Sequence, residues 1–258
     1  MIVLLFGPPG SGKGTQASLI GERYTIPAIS TGELFRAECK AATPLGKQAC
    51  SILASGRLVG DEIVNRMVAN RIGKPDCSPG FLLDGYPRTL AQAGFLDGLL
   101  RQNDLPEPAV IHLEVCREVL VRRISMRRHC PECSRIYNLL WQPPKTAGHC
   151  DDDGAALIRR EDDSKRVIRE RLKAYEELTG PVLAHYRGGP SYYRVNGDRP
   201  PEAVHRDVAQ ALACCGELHL ARRASANGGT KFPPGKLAPR TSGSRKSPNS
   251  SGELQLAK

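Results

Sequence analysis

The chain has 258 residues, 40% of them hydrophobic, with a formal net charge of +10 at pH 7. That length suits one α/β domain with insertions, and no apolar run approaches the ~18 residues that argue for a membrane span. The charge is uneven: from Glu217 to Lys258 eight Lys or Arg face two Glu, +6 of the total, so the remainder is only mildly basic. Such a core suits a small phosphate-bearing ligand. Aromatics make up 5% of the chain and are not interleaved with the basic residues, which argues against a nucleic-acid-binding core.

Met1 to Phe6 is a short apolar run that leads into glycines. It lacks the basic n-region and small-residue cleavage site of a signal peptide, so it is expected to be a buried strand and the chain cytoplasmic. A helix is expected from Lys13 to Tyr24. Further buried strands are expected at Phe81–Leu83, Val110–Leu113 and Tyr192–Val195. Helices are expected between them at Asp61–Ile72, Leu90–Arg101, Arg117–Arg128 and Ser164–Ala184, with a last one at Pro201–Cys214. Strand, glycine loop and helix in this order begin a parallel α/β sheet.

Two segments break the rhythm. Thr31 to Val59 reads as helical without a strand, and His129 to Asp163 is polar and rich in Cys, Pro, Gly and Asp. Both are expected to be insertions at the ligand edge of the sheet. Residues 218–258 are dominated by Gly, Ser, Pro, Lys and Arg without periodicity, and are expected to be a disordered basic tail. Of the nine cysteines, Cys39, Cys50, Cys77, Cys116, Cys214 and Cys215 are scattered, most of them expected to be small buried or half-buried residues.

The segment Gly7-Pro-Pro-Gly10-Ser11-Gly12-Lys13-Gly14-Thr15 carries the G-x-x-x-x-G-K core of a phosphate-binding loop. Its glycines let successive backbone N–H groups turn toward phosphate oxygens. The following helix adds its positive end, and Lys13 adds a point charge. A Ser or Thr directly after the lysine, the usual magnesium ligand, is absent here, since Gly14 precedes Thr15. The ion would be held mainly by phosphates and water, with Asp84 at a strand end as its outer-sphere anchor.

With Gly-Lys-Gly-Thr-Gln and three further blocks, residues 1–217 resemble the adenylate kinase family of nucleoside monophosphate kinases. These blocks are Ser30-Thr-Gly-Glu-Leu-Phe-Arg36, Gly80-Phe-Leu-Leu-Asp-Gly-Tyr-Pro-Arg-Thr89, and the lid with Arg160-Glu-Asp-Asp163. The resemblance implies a P-loop NTPase-like parallel five-stranded sheet flanked by helices, a helical NMP-binding insertion (30–59) and a zinc-ribbon-like lid (126–163). It implies transfer of a phosphoryl group between ATP, with Mg2+, and AMP by a monomer, with no membrane and no specific nucleic acid as partner. A GTP:AMP or pyrimidine-nucleotide enzyme is the neighbouring alternative.

By resemblance, the AMP side is lined by Thr31, Arg36, Arg57, Leu58, Val59, Gly85, Tyr86, Pro87, Arg88 and Gln92. The Gln92 amide can donate to and accept from an adenine edge. The ATP side takes Gly10 to Thr15, Arg127, Ile136, Tyr137 and Arg199, with Arg127 stacking on the adenine side and reaching the phosphates, and Arg123 one turn earlier on the same helix. Lys13, Arg88, Arg127, Arg160 and Arg171 would act on the transferring group. Cys130-x2-Cys133 and Cys150-x2-Asp153, 16 residues apart, have zinc-ribbon spacing. His129, His149, Asp151 and Asp152 stand close enough in sequence to compete for the fourth position.

Overall fold

The computed structural model describes residues 1–41, 43–54 and 58–225. A five-stranded parallel sheet runs in the order β2-β3-β1-β4-β7, built from β1 (Ile2–Phe6), β2 (Ala28–Ser30), β3 (Phe81–Asp84), β4 (Ala109–Glu114) and β7 (Tyr192–Asn196). All five residues of β1 are buried, as a central strand covered by helices on both faces requires. One face packs on α1 (Lys13–Tyr24) and α9 (Pro201–Ser225), the other on α4 (Asp61–Ile72), α5 (Leu90–Gln102) and α8 (Gly180–Arg187). The register aligns Ser30 and Leu5 with Asp84. The carboxyl ends of three strands thereby meet at one edge, where open α/β sheets take their ligands.

The first insertion is α2 (Thr31–Lys40) and α3 (Pro44–Ala54). The second follows α6 (Arg117–Ser125) and contains the antiparallel pair β5 (Arg127–His129) and β6 (Ile136–Asn138), a small core of Cys130, Tyr137 and Cys150, and a 3-10 turn at Glu161–Asp163. After it come α7 (Lys165–Ala174) and a π-helical turn at Tyr175–Thr179. Among the described residues no helix is long and apolar enough to cross a membrane.

Several expectations need correction. Strand β2 was not anticipated, because three residues after Ile26-Pro27 carry too little alternation to stand out. The helix expected over Arg117–Arg128 stops at Ser125, so Arg127 lies on β5, paired with β6, and not on the helix that carries Arg123. The stretch Ser164–Ala184 divides into α7, the π turn and α8, with Pro181 in the first turn of α8, where its missing N–H costs no bond. Helix α9 continues to Ser225, eight residues into the supposed tail. Glu217-Leu-His-Leu-Ala-Arg-Arg-Ala holds several good helix formers and no Gly or Pro. Residues 226–258 lie outside the described part. Cys39 and Cys50 are not separate thiols but a disulfide, and Cys116 and Cys214 are exposed.

Leu4 is fully buried between the two helical layers, whereas Val121 on α6 is 42% exposed. Leu4→Ala should cost about 2–5 kcal/mol of folding free energy, and Val121→Ala within about 0.5 kcal/mol. Calorimetric unfolding checks this, and equal shifts for the two variants would contradict the placement of the core.

Candidate functional site

The loop between β1 and α1 opens a cleft of about 360 Å³ at the carboxyl edge of the sheet. Gly10 and Gly12 adopt φ of 83° and 95°, a region that favours glycine. A Cβ on Gly10 would also sit 2.7 Å from the Ile124 side chain. Lys13 Nζ donates to the carbonyls of Gly7 (2.7 Å) and Pro8 (3.0 Å), which fixes the ammonium over the loop. Asp84, at the end of β3, lines the same cleft.

Seven arginines line this space: Arg123 and Arg199, described below, and five from five different elements. Arg36 comes from α2, Arg88 from the turn after β3, Arg127 from β5, Arg160 from the end of the lid and Arg171 from α7. Each is oriented by a partner or by packing. Arg88 Nε donates to the Gly85 carbonyl at 2.7 Å. Arg127 forks onto buried Asp163, with Nε to Oδ2 at 2.8 Å and a second bond from its terminal nitrogen to Oδ1. Arg171 donates to Asp162 at 2.5 Å and lies 3.7 Å from Asp163. The Nε of Arg160 is enclosed without a hydrogen-bond partner.

Crowding shows in the protonation equilibria. Burial pushes the Lys13 ammonium down to about 8, against the pull of Asp84 and with the help of Arg88, Arg171 and Arg127. Burial, reinforced by Arg171, lowers the Arg88 guanidinium to about 10, and burial with Arg36 and Arg127 lowers Arg160 to about 9. Burial alone would raise the carboxyl of Asp162, but Arg171, Arg127 and Arg160 bring it below its usual range. An anion bound here would restore the cations.

A second, smaller cavity adjoins the first and is lined by Thr31, Phe35, Leu58, Val59, Gly85 and Gln92, among others. Thr31 Oγ1 donates to the Gly85 carbonyl at 3.0 Å, tying α2 to the β3 turn. Gln92 is held from both ends: its Oε1 accepts from the Arg88 backbone N–H and its Nε2 donates to Asp61, each at 2.7 Å. One amide N–H and one lone pair stay free for a base edge. Thr89 Oγ1 donates to the other Asp61 oxygen, also at 2.7 Å.

Most of the expected residues thus gather, but not all in the expected way. Tyr86 is 1% exposed and lines neither cavity; its hydroxyl donates to Asn65 at 2.6 Å. The Tyr137 hydroxyl turns into the lid core, within 3.4 Å of Cys150 Sγ, and accepts from the Asp151 N–H at 2.7 Å. Arg199 pairs with Asp207, and its carbonyl accepts from Arg123 at 3.4 Å. Arg57 lies outside the described residues. Pro87 and Ile136 line the main cleft.

Arg123, named on the donor side, and Trp141, absent from the expected set, also line the cleft. Arg123 donates to the Ser11 and Arg199 carbonyls, both at 3.4 Å, and its guanidinium lies 5.7 Å from the ring centroid of Trp141. Trp141, the sole tryptophan of the chain, is 44% exposed and lines the cleft. Arg127, held by Asp163, stands nearer the cationic cluster. That the one tryptophan of the chain falls in a polar lid was the signal that could have found Trp141.

In the lid, one ligand atom from each of Cys130, Cys133, Cys150 and Asp153 falls within 4.8 Å of the others. Cys130 Sγ is 3.2 Å from Asp153 Oδ2, and Cys133 Sγ is 3.5 Å from Cys150 Sγ. Three of the four competitors are engaged elsewhere, whereas His129 Nδ1 is buried without a hydrogen-bond partner. His149 Nδ1 contacts the Gly154 carbonyl, Asp151 accepts from the Lys145 N–H, and Asp152 pairs with Arg135. Three thiols and a carboxylate form a donor set suited to a tetrahedral ion.

The family model described as Adenylate kinase matches residues 5–189. The chain belongs to the adenylate kinase family. Its relatives include the adenylate kinase of Anaeromyxobacter sp. (strain K), 46% identical over 204 residues that cover 79% of this chain and 95% of that one. The adenylate kinase of Thermosipho melanesiensis is 45% identical over 212 residues, 82% of this chain and 99% of the relative. That of Archaeoglobus fulgidus is 42% identical over 212 residues, 82% and 98%. Membership of the adenylate kinase family makes this chain a phosphotransferase.

Because Lys13 titrates near 8 without an anion beside it, polyphosphate binding must take up a proton above that pH. Affinity for a non-hydrolysable ATP analogue should be level below pH 8 and about tenfold weaker per unit above it. Isothermal titration in two buffers of different ionisation heat reads both affinity and proton uptake. Level affinity to pH 9.5 with no uptake would contradict the placement of Lys13.

Proposed function

We propose that the chain catalyses ATP + AMP = 2 ADP, with ATP in the main cleft and AMP in the smaller cavity. The observation that carries this is that Lys13 and five arginines, Arg36, Arg88, Arg127, Arg160 and Arg171, line the main cleft, while the smaller cavity shares Arg88, Gly85 and Leu58 with it. Phosphoryl transfer needs little covalent chemistry from a protein and depends on alignment and charge neutralisation. An AMP phosphate oxygen bonds to the γ-phosphorus as the bond from that phosphorus to the β,γ-bridging oxygen breaks, and the electron pair leaves with ADP.

In this reading Arg36 and Arg88 orient the AMP phosphate. Thr31, Leu58, Val59, Gly85 and Gln92 receive its adenine, and Arg57 and Pro87 border the pocket. The backbone of Gly10 to Thr15, with Lys13, holds the donor phosphates. Arg127, Arg160 and Arg171 neutralise the transferring group. Asp162 and Asp163 keep Arg171 and Arg127 aimed, so they are positioning residues. Arg123 and Trp141 border the donor base, and the Ile136, Tyr137 and Arg199 contacts are made mainly through backbone. Magnesium, when bound with ATP, draws charge off the phosphates, and Asp84 would anchor its water shell.

The catalytic unit is residues 1–217, with 30–59 as the acceptor-binding insertion and 126–163 as the lid. Closure of the lid excludes water, which would otherwise compete as acceptor. Cys130, Cys133, Cys150 and Asp153 hold a structural zinc, since a closed four-ligand set leaves no position for substrate. The lid has only a small apolar core, so such an ion supplies stability that packing lacks. The protein acts as a cytoplasmic monomer.

A coupled assay of ADP formation from MgATP, with AMP, UMP, CMP and GMP offered in turn, tests the proposal. Fast turnover with AMP alone is expected, and preference for another acceptor would overturn the assignment of Gln92 and its cavity. Arg88→Ala and Lys13→Met should each lower kcat by at least ~100-fold with unfolding temperatures little changed. Near-normal turnover in either would remove that residue from the mechanism. One zinc per chain is expected by atomic emission, and Cys150→Ser should lose it and lower the unfolding temperature. A metal-free wild type as stable as one supplied with zinc would sink the structural ion.

A further inference from the structure

The helix pair of the acceptor-binding insertion contains a bond that phosphoryl transfer does not use. Cys39, in the last turn of α2, is joined to Cys50 in α3, with their Cα atoms 5.8 Å apart. This lies inside the usual range of about 4.4–6.8 Å for bridged cysteines. The backbone is built to bring them together. Gly46 approaches α2 so closely that a Cβ would lie 2.0 Å from the Glu38 carbonyl oxygen, and Cys39 Sγ lies 3.5 Å from the Gly46 carbonyl. Thr43 closes the turn between the helices: its hydroxyl donates to the Glu38 carboxylate at 2.6 Å and accepts from the Gly46 N–H at 2.9 Å.

The position of the bond relative to the site gives it a consequence. Arg36 precedes Cys39 by three residues, so the two share one side of α2. Both connections of the insertion to the sheet, at Ser30 and at Val59-Gly60, lie outside the loop that the bond closes. The bond itself therefore links α2 only to α3 and not to the sheet or the lid. The remaining seven cysteines are free thiols, three of them in the lid.

We propose that Cys39 and Cys50 form a reversible thiol–disulfide site that sets the affinity for the acceptor nucleotide through the orientation of Arg36. Two thiols lose two protons and two electrons to a low-molecular-weight disulfide. The Cys39–Cys50 bond forms as the sulfur–sulfur bond of the oxidant breaks, and two small thiols leave. The oxidised hairpin holds α2 in the arrangement that presents Arg36, whereas the reduced hairpin must be ordered anew on each binding event. This inference rests on the assignment of the AMP phosphate to Arg36.

The test uses the full chain, equilibrated in mixtures of a small thiol and its disulfide. Alkylation in denaturant with chelator, followed by mass spectrometry, counts the thiols and identifies linked peptides. Steady-state kinetics read KM for each substrate. At an oxidising poise the Cys39 and Cys50 peptides should be linked, and at a reducing poise all nine thiols should be alkylated. On reduction the KM for AMP should rise about three- to tenfold, reversibly, with KM for ATP and kcat unchanged. The C39S/C50S variant, which keeps the lid cysteines, should show the reduced value at both poises; C50A alone serves if the double variant folds poorly. Nine alkylated thiols at every poise would overturn the inference, as would a linked chain with an unchanged KM for AMP. A linked chain in which the KM for ATP moves instead would overturn the assignment of the acceptor to Arg36, while leaving the bond itself in place.

Discussion

Lys13, Arg36, Arg88, Arg127, Arg160 and Arg171 repel one another across a single cleft. Two like charges ~6 Å apart at an effective dielectric of about 20 cost about 3 kcal/mol, so such a cluster persists only if the surrounding structure imposes it. The imposition is distributed. Three carboxylates, Asp84, Asp162 and Asp163, stand among the six cations, and two of them are locked onto Arg127 and Arg171. The protonation equilibria of Lys13, Arg88 and Arg160 are lowered first by burial and then by the neighbouring cations. The cations that line the cleft outnumber its carboxylates, a balance that suits a polyphosphate chain.

The fold supplies the other half of the constraint. Parallel strands bring Leu5, Ser30 and Asp84 level at one edge, and the loops that leave that edge carry the phosphate loop, α2 and the Arg88 turn. The remaining arginines come from the lid and α7, elements outside the sheet. A site assembled from both a rigid edge and separable parts can take in two nucleotides and then exclude water. The Cys39–Cys50 bond lies in the first insertion and the cysteine cluster in the lid, whose apolar core is small.

Much of this was legible in the residues. The glycine loop and the Gly80–Thr89 block stood out because their backbone requirements are strict and local. Lys13, Arg36 and Arg88 line one cleft, and the four residues of the zinc-ribbon spacing come together. What was not legible depended on tertiary pairing. Arg127 left its helix because Arg127–His129 pairs with Ile136–Asn138, a contact without a local signature. Tyr137 and Tyr86 matched motif positions, yet their rings are used for packing in the lid and the main core. Trp141 and Arg123 meet across an insertion, and the Cys39–Cys50 bond depends on the close approach of α3 at Gly46. Spacing alone does not reveal either contact.

The central claim is that the two cavities are parts of one site that meet at the arginine cluster. Titration with a dinucleoside pentaphosphate, two adenosines joined by five phosphates, tests it most directly. A single ligand that spans both cavities should bind with one molecule per chain, compete with both ATP and AMP, and lose most of its affinity in Arg88→Ala. Two molecules per chain, or competition with only one of the two nucleotides, would contradict a continuous site and separate the donor cleft from the acceptor cavity.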